Sequence, residues 1–321
     1  MIGRTPRPIP FRKVSGGLVQ PQDVLAELDS FLNQSTPDLA YILENAFGRM
    51  QNEITYRDLE RAIQGGYLSD AWIRQWQIEY SMLVRDDIAP LWDMAIRRGA
   101  AAVKAKYGLN AVDLTFPHIR NYIDHHSAEF VTNVTRTQKE AMRAMIRRAS
   151  LTTDMTVDEL ARVIRPTIGL TRPQGNALVS YYQDLKDAGY TDDEAKHRQL
   201  RRASQMHRQR AGTIAQYEMS DAYNAGSVAQ LRQAYQNREI HRPVKVWRTE
   251  RTESVCDVCS ALEGVRCELD DNFQIPPNMT GLKTKANARE LQGQLGRMFH
   301  RDRPPMHPHC RCALDTIFVD E

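Results

Sequence analysis

From Pro21 onward, apolar residues recur three and four positions apart, the spacing of one helix face. Val24, Leu25, Leu28, Phe31 and Leu32 predict a first helix over 21–34, and Pro21 suits its opening turn. A second helix is predicted over 36–50, with Thr36 as N-cap, Pro37 behind it and a stop near Gly48. Leu68, Trp72, Trp76, Tyr80 and Leu83 make a longer stripe that runs on to Leu91 and Ala95, and Pro90 should kink that helix or begin a new one. Trp72, Trp76 and Trp92 belong to this stripe, and at helical spacing they read as core rather than as a binding face.

Ile119, Tyr122, Ile123, Phe130, Val134, Ala141 and Met145 carry the same period further. His125 and His126 lie on that helix without a matching second pair, so they read as surface or capping residues. Thr156 and Glu159 have the spacing of a capping box, and Thr171-Arg172-Pro173-Gln174 opens the next helix. One long helical stretch is expected over 192–238. After Arg238 the period changes. Val244, Val246 and Trp247 stand among polar residues in a strand-like pattern, so a small α+β unit should begin near residue 240.

The resulting fold class is mainly α: a helical N-terminal body with a small α+β C-terminal domain. The expected divisions are an arm over 1–16, a helical domain over 17–164, a long-helix core over 165–238 and the C-terminal unit over 239–321. No apolar run reaches the ~18 residues of a membrane helix, and the N-terminus lacks an apolar signal core. A cytoplasmic site of synthesis and no membrane partner are therefore expected.

The net charge of +3 excludes a wholesale nucleic-acid coat, but its distribution is uneven. The arm carries Arg4, Arg7, Arg12 and Lys13 with no acid, and 196–210 holds six Lys/Arg with none. Arg201 and Arg208, with Arg12 and Lys13, are the candidate contacts to DNA phosphates; the bland alternative is a solvated face.

All five cysteines lie in two stretches, Cys256 to Cys267 and Cys310 to Cys312. In a reducing compartment such clustering points to metal rather than to disulfides. Cys256-x2-Cys259 and His307-x2-Cys310, with Cys312 following, supply paired donors on tight turns, as a tetrahedral Zn²⁺ site requires. Such a clip closes the 47 residues 260–306, which show no obvious core of their own. Five candidates exceed four places. Spacing argues for His307 as the fourth ligand beside Cys256, Cys259 and Cys310, but the stronger binding of thiolate to zinc tips the balance slightly to Cys312; Cys267 is a bystander. Soft donors in that number leave no open position, so the zinc reads as structural. A catalytic zinc would need a water and a base such as Glu253 or Glu263.

The stretch from Trp247 through Cys256, Cys259, Leu262 and Gly264 to Pro304, Pro305, His307, Pro308, Cys310, Arg311 and Cys312 resembles the signature of the phage Mu F-type head morphogenesis proteins. These are minor head (minor capsid) proteins of tailed bacteriophages. Upstream, Arg210, Ile214, Ala215, Glu218, Ala222, Asn224 and Gly226 are similar to that family's helix, with Tyr217 in place of its usual Thr. The resemblance covers about 165–315.

It implies a virion component present in few copies, at the portal vertex or the capsid interior, made in the host bacterial cytoplasm. The partners it implies are portal protein, major capsid protein or scaffold, and packaged double-stranded DNA. It implies no enzyme: the nine residues after Cys312 leave no room for the effector domains that some relatives carry. The alternative is a metal-dependent nuclease acting through the C-terminal unit. Arg210 and Glu218, eight residues apart, lie too far along one helix face to pair. With Trp247 they are expected in a structural network, their partners on other elements and chiefly in the C-terminal unit.

Overall fold

The computed structural model describes residues 21–111, 113, 117–150, 155–249, 255–273 and 301–319. The helices are α1 (Pro21–Glu53), α2 (Tyr56–Gly65), α3 (Asp70–Leu83), α4 (Ala89–Tyr107), α5 (Pro117–Ser150), α6 (Val157–Ile164), α7 (Arg172–Asp187), α8 (Asp192–Gln236) and α9 (Asp257–Leu262). The strands are β1 (Pro243–Arg248), β2 (Arg266–Glu268) and β3 (Ala313–Phe318). They form one antiparallel sheet in the order β2-β1-β3. The mainly helical class with a small C-terminal sheet is therefore correct. No described helix is long and apolar enough to cross a membrane.

One expectation fails at the start of the chain. Thr36-Pro37 does not open a second helix; α1 runs unbroken through it, with Pro37 and Gly48 inside. Proline lacks only its own N–H and its ring must clear the carbonyl one turn back, a cost that flanking burial can offset. Here Phe31, Leu32, Leu39, Leu43 and Phe47 are all buried, so the apolar face continues across the proline. At Pro90 the reading holds: a π-helical turn over Val84–Ile88 separates α3 from α4, and Pro90 falls in the first turn of α4. Trp76, Tyr80, Leu83 and Trp92 are buried as the stripe required. Thr156 and Glu159 bond reciprocally, at 2.8 and 3.2 Å, as a capping box.

The chain forms two compact units, and neither is a single stretch. One comprises Ser35–Leu91 and Arg120–Ala215. Its buried polar centre holds Tyr80, whose hydroxyl donates to Gln138 at 2.7 Å, together with His207 and Arg210. The other comprises Met1–Gln34, Trp92–Ile119 and Gln216–Glu321. In it the second half of α8 packs very closely on α4. A Cβ added at Gly226 would lie 1.9 Å from the Ile96 carbonyl oxygen, and one at Gly99 would lie 1.9 Å from that of Tyr223.

The sheet sits beside this crossing. Asn224 Oδ1 accepts the Leu314 N–H at 3.1 Å, and the Tyr107 hydroxyl donates to the Thr316 carbonyl at 2.8 Å. Side chains of α8 and α4 thus occupy the outer edge of β3, which would otherwise present open backbone groups. Asp315, nearly fully buried, is held between Lys106 at 2.6 Å and Arg248 at 3.1 Å. An apolar cluster in the core of this unit includes Val228, Leu231, Trp247, Leu262, Phe273, Met306 and Leu314, and Val244, Val246 and Ile317 form a smaller one.

Candidate metal centre

Cys256 is the N-cap of α9, and its sulfur accepts the Cys259 N–H at 3.4 Å. That cap geometry is what an x2 spacing provides: the cap residue and the third helical residue turn to the same side. Across from them the chain turns through His307–Cys310, with a 3.1 Å bond from the Cys310 N–H to the His307 carbonyl and His309 at φ 63°. Cys312 follows just before β3 and turns the same way as Cys310, as residues two apart do on extended chain.

The result is a convergence of donors. His307 Nε2 lies 2.9 Å from Cys256 Sγ and 3.2 Å from Cys259 Sγ, and Cys259 Sγ lies 3.7 Å from Cys310 Sγ. Cys256, Cys259 and His307 form one close trio, and Cys259, Cys310 and Cys312 another, with Cys259 common to both. Cys259, Cys310 and Cys312 are also part of the apolar core, so these sulfurs sit largely out of water. All five sequence candidates come together. Cys267 stands apart in β2, with its thiol 3.6 Å from the Asp271 carbonyl and burial pushing it up to about 12.

Electrostatics within the cluster split the donors. The hydrogen bond from Cys259, against the effect of burial and aided by His307, draws the Cys256 thiol down to about 4. His307 is raised to about 9, chiefly by Cys256. Cys310 is held well below the ordinary thiol range by Cys259 and Cys312, while Cys259 itself is driven up by sharing its proton with Cys256 and Cys310. Thiolates next to a cationic imidazole are the arrangement a metal ion would replace, its charge taking over from the shared protons. The cluster can therefore hold a metal ion.

Of the proposed bases, Glu263 is engaged by the Thr249 N–H at 2.6 Å and by Arg248 at 3.6 Å. Glu253 lies outside the described residues.

The remaining candidates fall in different places. Trp247 is fully buried in β1, edge-on to Phe273 at 5.1 Å between ring centres. Arg210 is buried, but its partners are not in the C-terminal unit. It donates to the Gly169 carbonyl and lies over the Phe47 ring at 5.1 Å, and burial lowers its pKa. The reason is helical phase: Arg210 lies on the face of α8 that covers the turn after α6. Glu218 is likewise buried. Arg201 and Arg208 are exposed; Arg208 donates to Ser204 at 2.9 Å and lies 3.9 Å from Glu44. Arg12 and Lys13, with the rest of the 1–16 arm, lie outside the described residues.

What sequence reading missed is how the second half-site is held. Asp221, on α8 and fully buried, meets Arg303 at 3.1 Å and Arg301 at 3.4 Å. Arg301 also donates to the Pro305 carbonyl and the Tyr217 hydroxyl, so Tyr217 in place of Thr has a function here. Lys245, fully buried in β1, donates to the Asp271 and Asp302 carbonyls at 2.7 and 2.8 Å. The Phe273 N–H bonds the Arg301 carbonyl at 2.8 Å. The 260–306 segment thus has anchors besides the cysteine clip, with Leu262, Leu269, Phe273 and Met306 all in the core. The one sequence signal was the charged triplet Arg301-Asp302-Arg303 abutting Pro304-Pro305.

No curated protein and no solved structure matches the chain. Residues 187–315 match the model of the family described as Phage Mu protein F like protein. That span takes in the second half-site, its Asp221 anchor, the Asn224–Gly226 crossing and the Cys256–Cys259 turn. Over residues 187–315, therefore, the chain is similar to the Phage Mu protein F like family.

Proposed function

We propose that this protein is a minor head protein of a tailed bacteriophage that acts in head morphogenesis as a structural component of the virion. The observation that carries the reading is the family match over 187–315, a span that holds Gly226 of the helix crossing, Asn224 bonded to β3 and the gathered donors. On this reading the work of the C-terminal unit is to present a fixed surface to portal or coat protein, and it requires no catalytic group.

The ion is zinc. Three or four sulfurs with an imidazole suit Zn²⁺, which accepts tetrahedral sulfur and nitrogen donors without redox chemistry. Cys256 and Cys259 would hold it from α9, and Cys310 with His307 or Cys312 from the opposite turn. Its contribution is to join the two half-sites. DNA contact, through Arg201 and Arg208 with Arg12 and Lys13, belongs to the same proposal as a non-specific, salt-sensitive interaction. The nuclease alternative needs an open coordination position, and five converging soft donors favour a closed one.

The test is a phage or prophage lacking only this gene, complemented in trans. The reading expects filled heads to fall sharply without the gene and to return with it. Normal yields of filled, infectious heads without the gene would refute it.

A further inference from the structure

Five donors surround a site with four places, and their surroundings distinguish them. His307 Nδ1 lies 2.7 Å from the Pro308 carbonyl oxygen. A carbonyl only accepts, so Nδ1 carries a hydrogen, and the Nε2 proton is the one a metal ion would displace to take up that lone pair. That Nε2 is the atom facing Cys256 and Cys259. The ring is thus already in the orientation of a ligand.

Two thiolates on one tetrahedral zinc lie about 3.8 Å apart, given Zn–S near 2.3 Å. Cys259 and Cys310 stand at 3.7 Å, an edge of that tetrahedron as found. A sulfur and a nitrogen on the same ion lie about 3.5 Å apart, so the His307 side must open by a few tenths of an ångström. It belongs to a turn, which can yield by that much.

Cys312 differs on each count. Its sulfur lies within 4.8 Å of the Cys259 and Cys310 sulfurs but is not grouped with Cys256 and His307. It directly precedes β3, whose register is pinned by the bond between Leu314 and Asn224 and by pairing with β1. It is 2% exposed and packs in the apolar core.

We infer that the metal is held by Cys256, Cys259, His307 and Cys310, and that Cys312 is a reserve thiol behind the site, able to take the fourth place if the imidazole is removed. This rests on the zinc reading above. As a thiol beside two ligand sulfurs, Cys312 has one hydrogen to donate to one or the other, which tempers the charge of the sulfur that accepts it.

The test begins with zinc content in full-length protein purified without chelator, followed by Co²⁺ replacement and X-ray absorption on wild type, His307→Ala and Cys312→Ser. The expectation is one metal per chain in all three. Wild type and Cys312→Ser should show three sulfurs and one nitrogen. His307→Ala should show four sulfurs, with a red-shifted Co²⁺ spectrum and weaker retention against a competing chelator. Four sulfurs in the wild type, or loss of metal in Cys312→Ser, would overturn the ligand assignment. Loss of metal in His307→Ala would overturn the reserve role. Absence of metal from all three proteins would instead remove the zinc reading itself.

Discussion

Gly226→Ala offers a sharp test of how the family helix is used. In most helices this exchange stabilises by about 1 kcal/mol, because alanine gives up less backbone freedom. At Gly226 the added Cβ would lie 1.9 Å from the Ile96 carbonyl oxygen and 2.7 Å from its carbon. A carbon and an oxygen sit comfortably at roughly 3.3 Å or more, so α4 and α8 would have to separate by over an ångström at the crossing. The obstructing atoms are backbone and cannot rotate away. Gly99 meets the same limit from the α4 side, so the two helices share one tight contact. Overpacking of this kind costs about 1–3 kcal/mol, and rigid neighbours place it at the upper end. After the propensity gain the net loss is about 2 kcal/mol, a fall in Tm of roughly 5 °C for a unit of this size. Gly212→Ala is the internal control. It is on the same helix with nothing within 4 Å, so it should melt at or slightly above wild type. Circular dichroism melts of the three proteins decide. A Gly226→Ala protein as stable as Gly212→Ala would refute the close crossing.

Four further outcomes follow from the same structure. Burial lowers His207 from the ordinary 6.5 to about 4, so the unfolded chain takes up the proton first. The stability this group contributes is complete above pH 6.5 and is lost as pH falls towards 4, by about 3 kcal/mol in total. Urea titrations across that range should show the slope in wild type and lose it in His207→Gln. Asp221→Asn leaves Arg301 and Arg303 without their buried carboxylate and should destabilise the C-terminal unit by about 3 kcal/mol, read by calorimetry. Cys256→Ser or Cys259→Ser should lose the metal and lower the melting of that unit, whereas Cys267→Ser should change neither; native mass spectrometry reads the metal and calorimetry reads the melting. Reversing charge at Arg201 and Arg208 should reduce low-salt DNA retention in a filter assay, and unchanged retention would exclude this face of α8 as the contact.

The cysteine cluster was legible in sequence because a metal site imposes short, repeated spacings on rare residue types. Most helices were legible through their period, while the long α8 has little one-sided period of its own and was legible as an unbroken stretch without strand or turn signals. Pro37 misled because a local rule was read without the apolar face that continues past it. Asp221 with Arg303, and Lys106 with Asp315, were not legible. Their partners are 82 and 209 residues away, and a charged residue in a helix looks the same whether it faces water or a buried partner. Likewise the period showed where helices lie but not that α1 and α8 each contribute to both compact units.

The role in the head is tested most directly by the composition of purified particles. Quantitative mass spectrometry of gradient-purified virions, with immunogold labelling against this protein, should find a few copies per particle clustered at the portal vertex or within the shell. Particles that are complete and infectious yet contain none of it would contradict the account.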